Sequence, residues 1–145
     1  MIGLELRKVT EKDWKILKCL ETDAESEFFH ALKKESEIRN YIKNSKVFFI
    51  VLNNKEIGTV SIEEIKKRFL NFNGLTVKKE FRRKGIGSWA IRKVLEKVEH
   101  KKIDLVVHPA NTPAIIVYLR AGFVIKNWKD DFFNDGTPRL VMSKK

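Results

Sequence analysis

The sequence predicts a single α/β (α+β) domain spanning residues 1–145, with about seven strands and about four helices. Three features predict it. Apolar segments of strand character alternate along the chain with segments of three-four apolar rhythm. Short polar turns at Asn53-Asn54-Lys55 and Lys66-Lys67 join consecutive strands as hairpins. One strand stops at Val77 in a basic loop whose two glycines open a helix, and Pro113 opens another. A chain of 145 residues supports one domain with a full core, and no repeat, linker or low-complexity segment divides it.

In chain order, Ile2, Leu4 and Leu6 alternate as in a half-buried strand. Thr10 caps a helix with Asp13 in the capping-box position, and Trp14, Ile16, Leu17 and Leu20 give that helix an apolar side. Cys19 lies within it and is expected to be buried. Ser26 to Lys33 and Ser36 to Lys43 read as a second, broken helical stretch. Val47 to Leu52 is a strand, Glu56 to Ile65 its hairpin partner, and Phe69 to Val77 a further strand. The long helix runs from Gly85 to about Glu99, with Ile86, Trp89, Ala90, Lys93 and Val94 in rhythm. Ile103 to His108 is a short buried strand and Phe123 to Trp128 another. The Asn134-Asp135-Gly136 turn leads into the last strand, Arg139 to Ser143.

The stretch from Leu75 to Ser88 has the make-up of an anion cradle. Gly85 and Gly87 let the backbone bend tightly and let a ligand approach it. The first helical turn presents N–H groups with no intrahelical partner, and the helix dipole favours negative charge there. Arg82, Arg83 and Lys84 add positive charge, so a pyrophosphate is the natural guest. A Walker loop needs a lysine directly after its last glycine, and Gly87 is followed by Ser88. A dinucleotide fingerprint needs a third glycine, and Ser88, Trp89 and Ala90 follow instead. The acyl-CoA pattern of Arg or Gln, two residues, Gly, one residue and Gly is met by Arg82, Gly85 and Gly87, with Val77 five residues upstream of Arg82.

A second motif lies about 25 residues downstream, Asn111-Thr112-Pro113-Ala114 running through Tyr118 to Gly122-Phe123. Pro113 suits the first helical position, and Thr112 before it can cap. Ala114, Val117, Tyr118 and Ala121 then share a face, and Gly122 closes the helix in a left-handed conformation. Together the two motifs and the element order resemble the GNAT superfamily of acyl-CoA-dependent N-acetyltransferases. Lys79 stands where family members often carry proline.

The resemblance implies a central mixed, mostly antiparallel sheet flanked by the helices. In it the strands ending at Val77 and starting at Ile103 begin parallel and splay apart, freeing backbone groups that need partners. It implies acetyl-CoA as cosubstrate. Leu75, Thr76 and Val77 would lie along the pantetheine arm, and Arg82, Arg83, Lys84, Gly85, Ile86, Gly87 and Ser88 would hold the pyrophosphate, chiefly through backbone N–H groups. Asn111 would contact the arm, and Tyr118 would protonate the departing thiolate. On the residues alone, Tyr118 also fits a packed core aromatic with a bonded hydroxyl.

The implied reaction is direct attack of a primary amine on the acetyl thioester, with a base or water chain taking the amine proton. Many family members place a glutamate before the phosphate loop, but Asn71-Phe72-Asn73-Gly74 holds no acid. In ribosomal-protein alanine acetyltransferases a glutamate on the following strand serves, and Val106 stands there in this chain. Glu63, Glu64, His108 and water held by Asn71 or Asn73 remain, and no base is assigned. The resemblance places the acceptor pocket on Thr22 to Tyr41, with Asp23, Glu25 and Glu27 able to attract a protonated amine of a protein N-terminus, a lysine or a small molecule such as a polyamine. Phe28 and Phe29 read more simply as core residues, and Asp130 to Asp135 forms the opposite wall.

Composition bounds these readings. No apolar run is long enough for a membrane span, and the first residues do not read as a signal peptide, so none is expected. Cys19 is alone, and His30, His100 and His108 lack metal-ligand spacing, so no metal is expected and a reducing cytoplasmic setting is. The net charge of +11 is spread over the chain, without aromatics interleaved among the basic residues as a nucleic-acid-binding protein would have. The alternatives are an acyl-CoA-binding module without turnover and, below it, such a basic nucleic-acid-binding protein. An exposed face of the final hairpin would support a homodimer.

Overall fold

The computed structural model describes residues 2–145. Strand β1 (Leu4–Lys8) leads through a single 3₁₀ turn (Glu11–Asp13) to helix α1 (Trp14–Ala24), and α2 (Glu35–Asn44) follows. Strands β2 (Lys46–Leu52), β3 (Lys55–Lys66) and β4 (Phe69–Val77) form a meander. A second 3₁₀ turn (Lys79–Phe81) precedes α3 (Ile86–Glu96), β5 (Lys102–Val107), α4 (Thr112–Arg120), β6 (Val124–Lys129) and β7 (Arg139–Lys144). The seven strands form one sheet in the order β1-β2-β3-β4-β5-β7-β6, antiparallel except between β4 and β5. The expected mixed, mostly antiparallel sheet with four helices is therefore the observed one.

β2 shows why the sheet sits where it does. Its residues Val47, Phe49 and Val51 enter the core under α1 and α2, while Phe48 and Ile50 enter the core under α3. A strand covered on both faces reads as an unbroken apolar run, because both alternating sets must be apolar. Leu17 and Leu20 of α1 and Ile38 and Ile42 of α2 complete the first core. Ile86, Ala90, Ile91 and Val94 of α3 complete the second. The β2–β3 hairpin turns on Asn53 and Asn54, both at positive φ (48° and 66°), a pair of conformations that asparagine tolerates and the hairpin twist requires.

Several expectations are corrected. Ile2 lies outside β1 and is fully exposed. Ser26 to Lys33 is not helical. Ser26 and Phe29 exchange backbone hydrogen bonds (3.0 and 3.3 Å) around a tight turn, and the Ser26 hydroxyl accepts from the Phe28 N–H at 3.2 Å. This local side-chain bond competes with the helical ladder. Phe28 and Phe29 are half-buried, not core. Cys19 is exposed, because the buried stripe of α1 runs through Leu17 and Leu20 and leaves residue 19 on the outer face. In α3, Ile91 joins the stripe, Lys93 is exposed, and the helix ends at Glu96. The capping pair at Thr10 is as expected, with Asp13 Oδ2 accepting from the Thr10 N–H at 2.9 Å.

Candidate active site

The site begins where β4 and β5 part. They pair only at Phe69–Lys102, Leu70–Ile103 and Asn71–Asp104. Beyond that the strands splay, as the family resemblance implies. A bulge at Asn73 lets two residues of β4 span one step of β3, between the pairs Ile62–Phe72 and Ser61–Gly74. The extra residue resets which side chains face which core, so Phe72 before it and Leu75 and Val77 after it all meet the α3 side.

The hydrogen-bond phase of this edge is fixed. The Lys78 N–H donates to the Ile57 carbonyl at 2.8 Å. Antiparallel alternation then turns the Thr76 backbone toward β3 and the backbone groups of Leu75 and Val77 toward the opening. Thr76 also bonds Thr59, hydroxyl to hydroxyl, at 2.8 Å. The guanidinium of Arg82 folds back and donates from Nε to the Val77 carbonyl at 2.8 Å, so this arginine braces the loop.

The loop delivers backbone N–H groups. Arg83 and Gly85 adopt positive φ (63° and 77°), and the left-handed Gly85 caps α3. Among the described residues, the N–H groups of Arg83 to Ser88 have no hydrogen-bond partner, and they cluster at the positive end of the α3 dipole. Gly87 is not required by its backbone. A Cβ there would lie 3.6 Å from Leu75 Cδ2 and 3.9 Å from Val117 Cγ1, ordinary contacts within the opening. Gly87→Ala is accordingly expected to fold as well as the parent, gaining up to about 1 kcal/mol of helix propensity. It should nevertheless bind acetyl-CoA about tenfold more weakly, a loss of roughly 1.4 kcal/mol, because its methyl enters the opening. Urea unfolding and calorimetry together check both halves.

α4 places Asn111 and Tyr118 on the other side. Asn111, not Thr112, is the N-cap, and its side chain makes no capping bond. Thr112 is itself the first helical residue and Pro113 the second, one position later than the sequence suggests. The helix closes at Gly122 (φ 96°) with a paired motif, in which Gly122 N–H donates to Leu119 O and Phe123 N–H to Tyr118 O, both at 3.0 Å. The same motif brings the Phe123 and Tyr118 rings together, centroids 6.0 Å apart. Phe72, the first residue of β4 past the paired segment, meets Tyr118 edge-on at 5.9 Å. Tyr118 is thus wedged at the head of the splay. Burial alone pushes its hydroxyl up to about 12, with no hydrogen bond from a described residue contributing.

The structure separates the base candidates. Glu63 and Glu64 sit opposite Asn71 and Leu70, at the zipped end of β4 and β5. His108 Nδ1 accepts from the Ala110 N–H at 3.0 Å, and its ring packs on Phe28 at 4.8 Å. Asn73 accepts from the Ser61 hydroxyl at 2.7 Å and donates to the Ser45 hydroxyl at 3.0 Å, which leaves its second N–H and second lone pair free for other partners. Asp23 pairs with Lys78 and Glu25 with Lys33.

Sequence reasoning missed Glu21. It is 5% exposed, and its side chain makes one hydrogen bond among the described residues, accepting from the Leu32 N–H at 3.4 Å. Its signal was present. Leu17, Leu20, Glu21 and Ala24 are one helical stripe at i, i+3, i+4 and i+7, with an acid in an apolar register. Burial raises its pKa to about 7, against the small lowering effect of the Leu32 bond. The folded state therefore keeps a proton that the unfolded chain has released, and stability is lost as pH rises from about 4.5 through 7. Glu21→Gln removes this loss. We expect it to stabilise the protein by about 2–3 kcal/mol at pH 8 and hardly at all near pH 4, measured by urea unfolding.

The model of the acetyltransferase (GNAT) family matches residues 11–123, which carry the phosphate loop, the splay and α4. The chain belongs to this family. As a GNAT acetyltransferase it uses acetyl-CoA as cosubstrate. Its fold is that of a chimeric spermidine N-acetyltransferase from Vibrio cholerae, with a TM-score of 0.83 over 97% of this chain and 94% of that one at 21% identity. A GNAT acetyltransferase from Elizabethkingia anophelis with acetyl-CoA bound gives 0.79 over 100% and 99% at 16% identity. A ribosomal-protein α-N-acetyltransferase in complex with coenzyme A gives 0.81 over 99% and 94% at 15% identity. At these identities the likeness establishes the fold. No curated protein matches the sequence. Among the described residues no helix is long and apolar enough to cross a membrane.

Proposed function

We propose that this acetyltransferase moves the acetyl group to a primary amine by direct attack within a ternary complex, with the splay between β4 and β5 as the site of transfer. The observation that carries this is the coincidence of three features at one opening. These are the backbone of Leu75 and the N–H of Val77, the N–H groups of Arg83 to Ser88, all without partners among the described residues, and the Tyr118 ring at the head of the splay. Leu75 and Val77 pair with the amides of the pantetheine arm as a short added strand would. The N–H groups of Arg83, Lys84, Gly85, Ile86, Gly87 and Ser88 hold the pyrophosphate. The Asn111 side chain, free of any capping bond, contacts the arm. The Val77 N–H polarises the thioester carbonyl, and Tyr118 donates the proton that the sulfur takes up.

The same reading puts the acceptor on the α1–α2 side of the sheet. Primary amines of a protein N-terminus, a lysine or a polyamine fit it, since the spermidine and ribosomal-protein enzymes share the fold. β6 is an edge strand with all six residues exposed, including Val124, Ile125 and Trp128, and supports pairing with a second copy. Initial-velocity kinetics test the transfer step. Lines that intersect when amine and acetyl-CoA are varied together are expected. Parallel lines would mean an acetylated enzyme and contradict direct attack.

A further inference from the structure

Basic residues that are dispersed along the chain converge at the end of the sheet remote from the splay. There a cleft of about 580 Å³ opens between the start of β2, the β3–β4 hairpin and the C-terminal end of α3. Small-molecule sites run to roughly 300–1,000 Å³, so the volume suits one. α3 has 11 residues, which sets the cleft roughly 16 Å from the phosphate loop at the other end of the helix. Lys46, Lys67, Arg68 and Lys97 line it together with Glu64 and Glu99. Ile62, Leu70 and Val98 give it an apolar floor. Neighbouring ions pair off, Lys93 with Glu96 at 3.5 Å and Lys102 with Asp104 at 3.7 Å. Among the described residues, none of the six charged groups that line the cleft makes an ion pair. Four cations against two acids leave a surplus of two positive charges. Lys97, the C-cap residue of α3, also offsets the negative end of the helix dipole. Lys8 adds a cation at the edge. Its ammonium and that of Lys97 lie over the Phe48 ring, 5.6 and 5.8 Å from the centroid. Burial, and then the charge of Lys46, hold the Lys8 ammonium below the usual lysine range. The walls keep one spacing. The Arg68 carbonyl accepts from the Lys101 N–H at 2.7 Å and the Lys102 N–H at 3.4 Å, which ties the hairpin turn to the loop after α3. Arg68 makes this contact with φ at 67°, an uncommon conformation for a residue other than glycine.

We propose that this cleft is a second ligand site, separate from the transfer site, and that it binds a small phosphorylated polyol such as a sugar phosphate. The charge balance decides the class. A phosphomonoester carries about −1.5 to −2 charges at pH 7, which matches the surplus of the cleft, whereas a single carboxylate would leave half of it uncompensated. Its oxygens accept charge-assisted hydrogen bonds from lysine and arginine. Glu64 and Glu99 then have a use. Carboxylates accept hydrogen bonds, so they hold the hydroxyls of the same ligand, and they repel a second phosphate. That repulsion separates this cleft from a track for a nucleic-acid backbone. The carbon skeleton rests on the apolar floor. The two anion sites differ in kind, since the phosphate loop offers backbone N–H groups and this cleft offers side-chain charge.

The test is an NMR titration of the isotope-labelled full chain with coenzyme A in excess, so that the phosphate loop is occupied. Ribose 5-phosphate, glucose 6-phosphate and glycerol 3-phosphate are the probes. Inorganic phosphate, ribose and potassium chloride at matched ionic strength are the controls. At least one probe is expected to shift the amides of Lys67, Arg68 and Val98 and to saturate with a Kd of about 1 mM or tighter. Inorganic phosphate should bind at the same amides about tenfold more weakly, because it brings no polyol hydroxyls, and ribose should not bind. Arg68→Ala combined with Lys97→Ala should weaken the probe by about tenfold or more and leave coenzyme A affinity within about twofold. Glu64→Gln should tighten inorganic phosphate by about threefold, a gain that a disturbed fold would not produce. No saturating shift from any probe by about 10 mM would overturn the proposal, as would shifts that potassium chloride reproduces or shifts confined to Arg83 to Ser88. Inorganic phosphate that binds as tightly as every probe would mean an adventitious ion only and would overturn it too. A short oligoribonucleotide that binds these amides far more tightly than the probes would replace the small ligand with a nucleic acid. Each amide reports its own neighbourhood, so failure here and failure of coenzyme A to bind at the splay are read separately.

Discussion

Tyr118→Phe is expected to lower kcat by about 100-fold while acetyl-CoA affinity stays within about twofold. The substitution removes one oxygen and little else. The ring keeps its edge contacts with Phe72 and Phe123, and the Gly122 closure that sets its position is made by backbone. The hydroxyl has no partner among the described residues, so its loss should not weaken the fold, and urea midpoints of variant and parent check this directly. Its raised pKa keeps it protonated across any practical assay, as a donor to the departing sulfur must be. Single-turnover rates give the cleanest reading, because product release cannot mask the chemical step. A decrease smaller than about threefold would assign the tyrosine to packing.

Gly58→Ala is expected to destabilise the protein by about 2–3 kcal/mol and to weaken acetyl-CoA binding by tenfold or so. A Cβ at this point of β3 would stand 2.1 Å from the Thr76 carbonyl oxygen and 3.1 Å from Val77 Cα. Both are backbone atoms of the strand end that borders the opening, so neither can swing aside as a side chain would. The sheet must shift, and the phase that aims Leu75 and Val77 at the opening shifts with it. Urea unfolding and calorimetry on one preparation check the pair of effects. A variant with normal stability and normal affinity would mean that β4 is far softer than its pairing indicates.

Much of this architecture was legible because local signals agreed with one another. The Asn53-Asn54 turn, the Gly85 cap and the Gly122 closure each demand positive φ, and each has it. The continuous apolar run of β2 and the stripe of α3 name their own burial. The splay of β4 and β5 was reached through the family resemblance, since nothing in Phe69 to Val77 alone says where pairing stops. What escaped depended on contacts distant in sequence. Ser26 to Phe29 has helix-compatible residues, but a side-chain hydroxyl and a two-residue turn win there. Gly58 reads as a weak strand position until Thr76 is seen against it. Arg82 matches a phosphate-binding pattern, and the fold adds that its Nε closes on Val77 O. Glu21 broke the apolar stripe of α1, and its burial against the Leu32 N–H, 11 residues on, could not be read from the stripe itself.

Isothermal titration of the purified chain with acetyl-CoA, with ATP and NAD as controls, tests the central claim most directly. The account predicts one site per chain with micromolar affinity for acetyl-CoA and much weaker binding of the other two. The proposed site takes a pantetheine arm as well as a pyrophosphate, and the controls share only the latter. No binding of acetyl-CoA, or equal binding of all three, would contradict it and leave the splay between β4 and β5 without its assigned occupant.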